Sequence, residues 1–282
     1  MKKRVITALL IGLVVLPLIL IGGIPFLIGI TTLLSLAMYE ITNANKSSIL
    51  TKVVTIGFIV ASSIYSYFNI ANNFINFNLL FVFLPILTLF TIALFDKKQT
   101  LLDACYNSVF TVLLSIFATS LLELRYTFNN ANLIAYMILA TTSVDSFALF
   151  VGCKYGKHRL NERISPKKSI EGSIGGIIGG TIVTTLFATF FPILTSGDTN
   201  VLNLSFTTNI IWMNVLYSFL ITLVLSVVGQ IGDLMFSMIK RNYQIKDFSN
   251  ILPGHGGFAD RIDSLCINSI TLSVILSLIA IL

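Results

Sequence analysis

The chain has 282 residues, of which 55 % are hydrophobic and only 11 % charged, and its net charge is +6. Soluble domains carry about 25 % charged residues, so this composition, with a mean hydropathy of +0.91, excludes a water-soluble globule. The positive balance fits Lys and Arg held at one membrane face better than a nucleic-acid partner.

Taken in chain order, nine segments are apolar and about as long as the roughly 20 residues a helix needs to span a bilayer. They are residues 5–21, 24–42, 52–69, 77–95, 103–123, 132–153, 174–194, 209–236 and 264–282. The start, MKKRVITALLIGLVVLPLIL, has the basic opening of a signal peptide, but no small-residue cleavage site separates it from the next apolar run. Spans one and two are therefore read as retained helices. Cys105, Cys153 and Cys266 lie in or beside apolar runs, without metal-ligand or disulfide spacing, and read as small packing residues.

The connectors orient the spans. Lys2, Lys3 and Arg4 precede the first; Lys46 and Lys52 lie near the second connector, and Lys97 and Lys98 follow the fourth span. Six Lys and Arg residues from Lys154 to Lys168 follow the sixth span, and Lys240, Arg241, Lys246 and Arg261 follow the eighth. With the N-terminus inside and an odd count, only Arg125 of the 18 basic residues falls on the opposite side. The positive-inside rule assigns the basic side to the cytosol. The expected fold is an all-α polytopic membrane protein of about nine transmembrane helices, N-terminus cytosolic and C-terminus on the opposite side. Residues 1–130 hold about five spans. Residues 131–282 form the C-terminal region, with two cytosolic motif segments, 153–176 and 237–263.

Two acids lie within spans. Asp145 sits in the sixth and Asp233 near the end of the eighth. A carboxylate facing lipid costs at least about 2.5–3.5 kcal/mol, so such residues face a bundle interior or a wet cavity. Ser226, Gln230, Asp233, Ser237 and Lys240 recur at spacings of four and three and share one helical face. At 1.5 Å per residue, Asp233 lies about 10 Å along the helix from Lys240, deeper in the membrane. The structural alternative is that Asp233 or Asp145 pairs with a basic residue and ties helices together. Glu40, beside Lys46, reads as interfacial and receives no function.

The segment SMIKRNYQIKDFSNILPGHGGFADRID, residues 237–263, is basic, then glycine-rich, then acidic. LPGHGG cannot be regular helix, and closely spaced glycines let backbone N–H groups wrap an anion. Asp260 and Asp263 share a helix face at i, i+3. With Asp233 they suit a hard divalent cation such as Mg2+, which shares oxygen ligands with a phosphate. Donor loop, cations and acids together indicate phosphoryl or nucleotidyl transfer. A basic loop gripping anionic lipid would explain the lysines but not GHGG or the acids. In ISPKKSIEGSIGGIIGG, Ser165, Lys167, Lys168, Ser169 and Glu171 precede the seventh span, where lysines at a helix start read as a phosphate site. The two hydroxyls either bind nucleotide or cap the helix. Gly175/Gly179 and Gly176/Gly180 form interleaved GxxxG pairs, read as close helix packing.

These residues resemble the phosphatidate cytidylyltransferases, also called CDP-diglyceride synthases. The family's long signature is matched at Ser237, Ile239, Lys240-Arg241, Lys246-Asp247, His255-Gly256-Gly257, Phe258, Asp260-Arg261, Ile262 and Asp263. Asp145, Gly152, Gly156-Lys157 and SPKKSIEG resemble a second family segment. Leu149 replaces a usual Tyr, Cys153 a usual Arg, and Ser169-Ile170 a usual Thr-Trp, so a stacking aromatic is lost. The resemblance implies transfer of a cytidylyl group from CTP to phosphatidic acid, giving CDP-diacylglycerol and pyrophosphate. It implies Mg2+ on Asp233 and Asp260, with Asp263 and Asp145 as further ligands, and leaves room for a second, monovalent cation. Lys240, Arg241, Lys246 and Arg261 would neutralise phosphates, and His255 would donate to phosphate or pyrophosphate. Ser165, Lys167, Lys168, Ser169 and Glu171 would hold CTP, with Ser237, Gly256 and Gly257 also contacting substrate. The active site would face the cytosol from a plasma (inner) membrane in a bacterium, with no nucleic acid and with room for a homodimer. The rival readings are a membrane kinase of polyprenol or lipid alcohols with His255 as base, an ion-coupled transporter using Asp145 and Asp233, and a non-catalytic scaffold.

Overall fold

Each of the nine apolar segments falls largely within an α-helix of the computed structural model, which describes residues 2–71, 79–127, 131–195, 211–252, 254 and 256–281. The helices are α1 (Lys2–Ile21), α2 (Gly23–Ala44), α3 (Ile49–Ala71), α4 (Leu80–Phe95), α5 (Leu101–Leu122), α6 (Ala131–Tyr155), α7 (Ile170–Thr195), α8 (Ile211–Asn242) and α9 (Ala259–Ile281). Among the described residues seven of them are long and apolar enough to cross a membrane: α2, α3, α5, α6, α7, α8 and α9. The chain is thus a multi-pass, helical integral membrane protein. α4 has 16 residues, about 24 Å of rise against a hydrocarbon core of about 30 Å.

Most helices extend beyond the apolar runs, α7, α8 and α9 the furthest. α8 continues through Lys240 and Arg241 in its last turn, and α9 opens four residues before Asp263, with Asp260 in its first turn. Cations at a helix C-terminus and an acid at an N-terminus both favour the extension, because they oppose the helix dipole. α7 likewise begins at Ile170, with Glu171 in its first turn. Between α6 and α7 the sequence forms an antiparallel hairpin of β1 (Arg159–Asn161) and β2 (Ser165–Ser169). Its turn is closed by Asn161, whose side-chain oxygen accepts from the Ile164 N–H at 3.1 Å, the local bond that makes Asn a turn residue.

The chain divides into two compact units, Met1–Asn129 with Lys240–Ile262, and Asn130–Ile239 with Asp263–Leu282. In the first, α2, α3 and α5 bury Leu34, Met38, Ile41, Ile59, Phe110 and Leu114. A capping box between Thr100 and Asp103 starts α5. Asn45 donates to Asn107 at 3.0 Å and Asn107 to Ser47 at 2.9 Å, joining α5 to the turn after α2. Arg125, the basic residue set apart in the sequence, donates to the Ile19 carbonyl at 3.1 Å. Its guanidinium packs on Gly22, whose φ of +68° favours glycine.

In the second unit α7 lies against α6 along its glycine face. A Cβ on Gly172 would sit 2.7 Å from the Ala148 carbonyl oxygen, and one on Gly176 would sit 2.8 Å from that of Val144. The interleaved GxxxG pairs thus lie where the two backbones approach. Hydrogen bonds tie the other helices in: Tyr136 to Thr222 at 2.7 Å, Thr181 to Ser226 at 3.1 Å and Asn268 to Thr141 at 2.9 Å. In a membrane such interhelical bonds contribute about 0.6 kcal/mol each.

Candidate active site

The close packing of α6 on α7 leaves a cavity of about 560 Å³ beside them, in the second unit. This is the size of a small-molecule site. Asp145 lines it from α6, Lys167 and Lys168 from β2, and Gln230 and Asp233 from α8. Two acids and two lysines from three separate elements therefore face one space. Lys168 makes a close ion pair with Asp233, and Ser237, one turn along α8, donates to the same carboxylate at 3.4 Å. Gln230 accepts from the Ser173 hydroxyl and donates to the Ser173 carbonyl at 3.1 Å, fixing α8 to α7 at this depth. Leu149 and Cys153, two of the departures noted in the sequence, form part of the wall. Ile170 lies exposed at the start of α7.

Ser169 lines the cavity, and Glu171 stands two residues beyond it in the first turn of α7. The Ser169 hydroxyl accepts from the Gly172 N–H at 3.1 Å, the geometry of a helix cap. It sits among Gly152, Gly156 and Gly172, where added Cβ atoms would lie 3.1, 2.7 and 2.9 Å from it. Three glycines thus make room for one buried hydroxyl. The Glu171 carboxylate accepts from the Lys157 N–H at 3.1 Å, and from the His158 N–H at 3.2 Å and Nδ1 at 2.6 Å. It ties the segment leaving α6 to the start of α7. Ser165 pairs with Asn161 in the hairpin register.

In the first unit, Lys240 and Asp260 form a buried ion pair, Nζ to Oδ1 at 2.8 Å, with the two residues 8 % and 6 % exposed. The other Asp260 oxygen accepts from the N–H groups of Phe248 at 2.8 Å and Gly257 at 3.0 Å. Lys240 also lies over the Phe248 ring, 5.6 Å from its centroid. Gly256, at φ +81°, turns the chain where a Cβ would sit 3.0 Å from Asp260. Asp260 thereby sets the path of the glycine loop, whose Leu252 and Gly256 pair as a single bridge. Arg241, Lys246 and Arg261 are exposed, and Arg241 also donates to the Ile245 carbonyl at 3.1 Å. Asp263, which belongs to the second unit, is half-exposed on α9 and accepts from the Ser264 N–H at 2.8 Å. His255 lies outside the described residues.

Glu40, which the sequence reading left without a function, has partners in the glycine loop. It is 1 % exposed and reaches the glycine loop from α2. The Ser249 hydroxyl donates to it at 2.6 Å, the Phe258 N–H at 3.1 Å and the Ala259 N–H at 2.9 Å. No spacing pattern marks such a residue, because its partners lie more than 200 positions away.

Mg2+ can be weighed against the donors present. Among the described residues no three His, Cys, Asp or Glu side chains are grouped to hold a metal by themselves. Asp145 and Asp233 do line the same cavity. One or two carboxylates completed by phosphate oxygens is a donor set that Mg2+ accepts, so these residues fit it together with a phosphate-bearing ligand.

The model of the family described as the cytidylyltransferase family matches residues 2–279. The chain is 31 % identical over 271 residues to a phosphatidate cytidylyltransferase of Bacillus subtilis, covering 94 % of this chain and 93 % of the relative. It is 32 % identical over 271 residues to that of Staphylococcus haemolyticus, covering 94 % of each. With the Thermotoga maritima protein of the same name it shares 31 % identity over 171 residues, 60 % of this chain and 58 % of the relative.

Proposed function

We infer the activity from one premise: the chain belongs to the cytidylyltransferase family. It transfers the cytidylyl group of CTP to phosphatidic acid. An oxygen of the lipid phosphate bonds to the α-phosphorus of CTP, the bond from that phosphorus to the bridging oxygen breaks, and pyrophosphate leaves. The products are CDP-diacylglycerol and pyrophosphate.

The observation that carries the residue assignment is the cavity where Asp145, Asp233, Lys167 and Lys168 meet. The attacking phosphate is already ionised at neutral pH, so the reaction needs no strong base. Its obstacle is repulsion between two polyanions, and fixed positive charge aimed at the transferring group lowers it. Lys167 and Lys168 neutralise the nucleotide phosphates. The ion pair with Lys168 compensates the charge of Asp233 in the cavity. When Lys168 turns to phosphate, the Asp233 carboxylate is released, and with Asp145 it would hold Mg2+. That ion, when bound, supplies further neutralisation of phosphate oxygens. Ser169 and Glu171 act by holding the hairpin and the start of α7 in place.

Arg241, Lys246 and Arg261 contribute positive charge from the signature segment, and the Lys240–Asp260 pair fixes the shape of the loop that carries it. His255 donates to phosphate. The positive-inside distribution supports nine crossings with these segments at the cytosolic face of the membrane, and the bacterial relatives support the plasma membrane.

The test uses purified protein in phosphatidic acid-containing micelles with Mg2+ and each of the four common nucleoside triphosphates in turn. CDP-diacylglycerol and pyrophosphate are expected in equal amounts from CTP. Lipid product from another nucleotide, with none from CTP, rejects the assignment.

A further inference from the structure

We propose that Glu40 is a positioning residue for the transfer reaction, locking the glycine loop and the start of α9 onto α2; its catalytic part rests on the activity inferred above. The residue sits near the end of a helix long and apolar enough to cross the membrane, among neighbours such as Ala37 and Ile41 that are fully buried. Burying a carboxylate there is costly unless its oxygens are satisfied. All the partners found for it belong to the signature segment: one hydroxyl, Ser249, and two successive backbone N–H groups, those of Phe258 and Ala259.

Those amides have no other natural acceptor. The first N–H groups of a helix lack intrahelical partners, and Phe258 and Ala259 stand at the start of α9. The preceding amide, Gly257, donates to Asp260 instead. Two carboxylates, Glu40 from α2 and Asp260 from α9 itself, therefore divide three consecutive orphan donors between them. Asp260 also takes Lys240, the buried cation of the signature residues on α8. The loop is thus clamped on one side by its own ion pair and on the other by a residue of a separate helix.

Gly257 shows how closely the clamp fits. A Cβ there would lie 2.7 Å from the Glu40 carboxyl carbon and 2.7 Å from the Ser249 hydroxyl. The second glycine of the His-Gly-Gly run is then required by Glu40 as well as by any ligand. The same contact explains why an acid is needed: an amide at position 40 would aim an N–H₂ at a backbone N–H.

Glu40→Gln, made in the full chain, tests both parts. Hydrogen exchange across residues 249–259 is expected to speed up about tenfold or more, with exchange in the 165–173 segment unchanged. Turnover per folded molecule is expected to fall about thirtyfold, while the affinity for CTP, measured by direct binding, stays within about threefold. A residue that serves stability alone would lower the yield of folded protein and leave turnover per folded molecule intact. Ser249→Ala, which removes one of the three bonds and no charge, is expected to reduce turnover about three- to tenfold. Unchanged exchange in Glu40→Gln overturns the clamp. Unchanged turnover in that variant overturns its catalytic part. If the unmutated chain transfers nothing from CTP, the inferred activity falls instead, and the exchange arm still decides whether Glu40 holds the loop.

Discussion

Replacing Asp233 by Asn is expected to lower kcat about a thousandfold, roughly 4 kcal/mol of transition-state stabilisation, with little loss of folded protein. Asp233 is one of two acids lining the cavity, and its side chain and that of its partner Lys168 remain 21 % and 34 % exposed. Removing a partly solvated partner costs little stability, so the loss would lie in chemistry. Asn keeps the size and one oxygen but is a far weaker ligand for a hard cation. The Mg2+ concentration for half-maximal rate should therefore rise in Asp233→Asn, and also, less steeply, in Asp145→Asn. In Lys168→Met the Mg2+ requirement should stay near its original value while the KM for CTP rises. Steady-state rates across a Mg2+ titration check this. Superimposable titration curves for the wild type and Asp233→Asn would remove that residue from the ion site.

The second large effect is expected at Asp260. Asp260→Asn should reduce turnover about a thousandfold and also lower stability by about 3–5 kcal/mol, because Lys240 would be left buried and uncompensated. Lys240→Met/Asp260→Asn removes the stranded charge. It should recover most of the stability, since a neutral replacement of a buried pair is often tolerated, yet remain inactive. Thermal unfolding in detergent and turnover, measured on the same preparations, separate the two roles. A double variant that regains both stability and turnover would make the pair a purely structural element.

How far the sequence carried these conclusions differs from feature to feature. The helical membrane character was plain, since long apolar runs have few alternatives to helix in a bilayer. Among the described residues each apolar run lies largely within a helix, but hydropathy drew three of these helices too short, because the final turn of α8 and the first turns of α7 and α9 hold charged residues that favour helix ends and are not apolar. The hairpin at Arg159–Ser169 escaped notice: its strands are short, polar and largely exposed, so no burial pattern marks them. That Asp233 would either serve a cavity or pair with a cation was legible from its place in an apolar helix. That it does both, and that the cation is Lys168, 65 residues earlier, was not. Ser169 illustrates the same limit. Its hydroxyl could be read as ligand or cap, and the packing of three glycines around it shows the cap. Glu40 was the least legible of all, a single acid in an apolar run whose purpose depends on a loop at the other end of the chain.

The position of the label in the lipid product is the most direct measurement of the central claim. CTP carrying label at the α-phosphate is incubated with the purified chain, Mg2+ and phosphatidic acid, in parallel with CTP labelled at the γ-phosphate. Cytidylyl transfer places the α-label in the lipid and the γ-label in pyrophosphate, and Asp233→Asn should strongly reduce both. Appearance of the γ-label in the lipid, with the α-label left in free nucleotide, would mean phosphoryl transfer and would contradict the account.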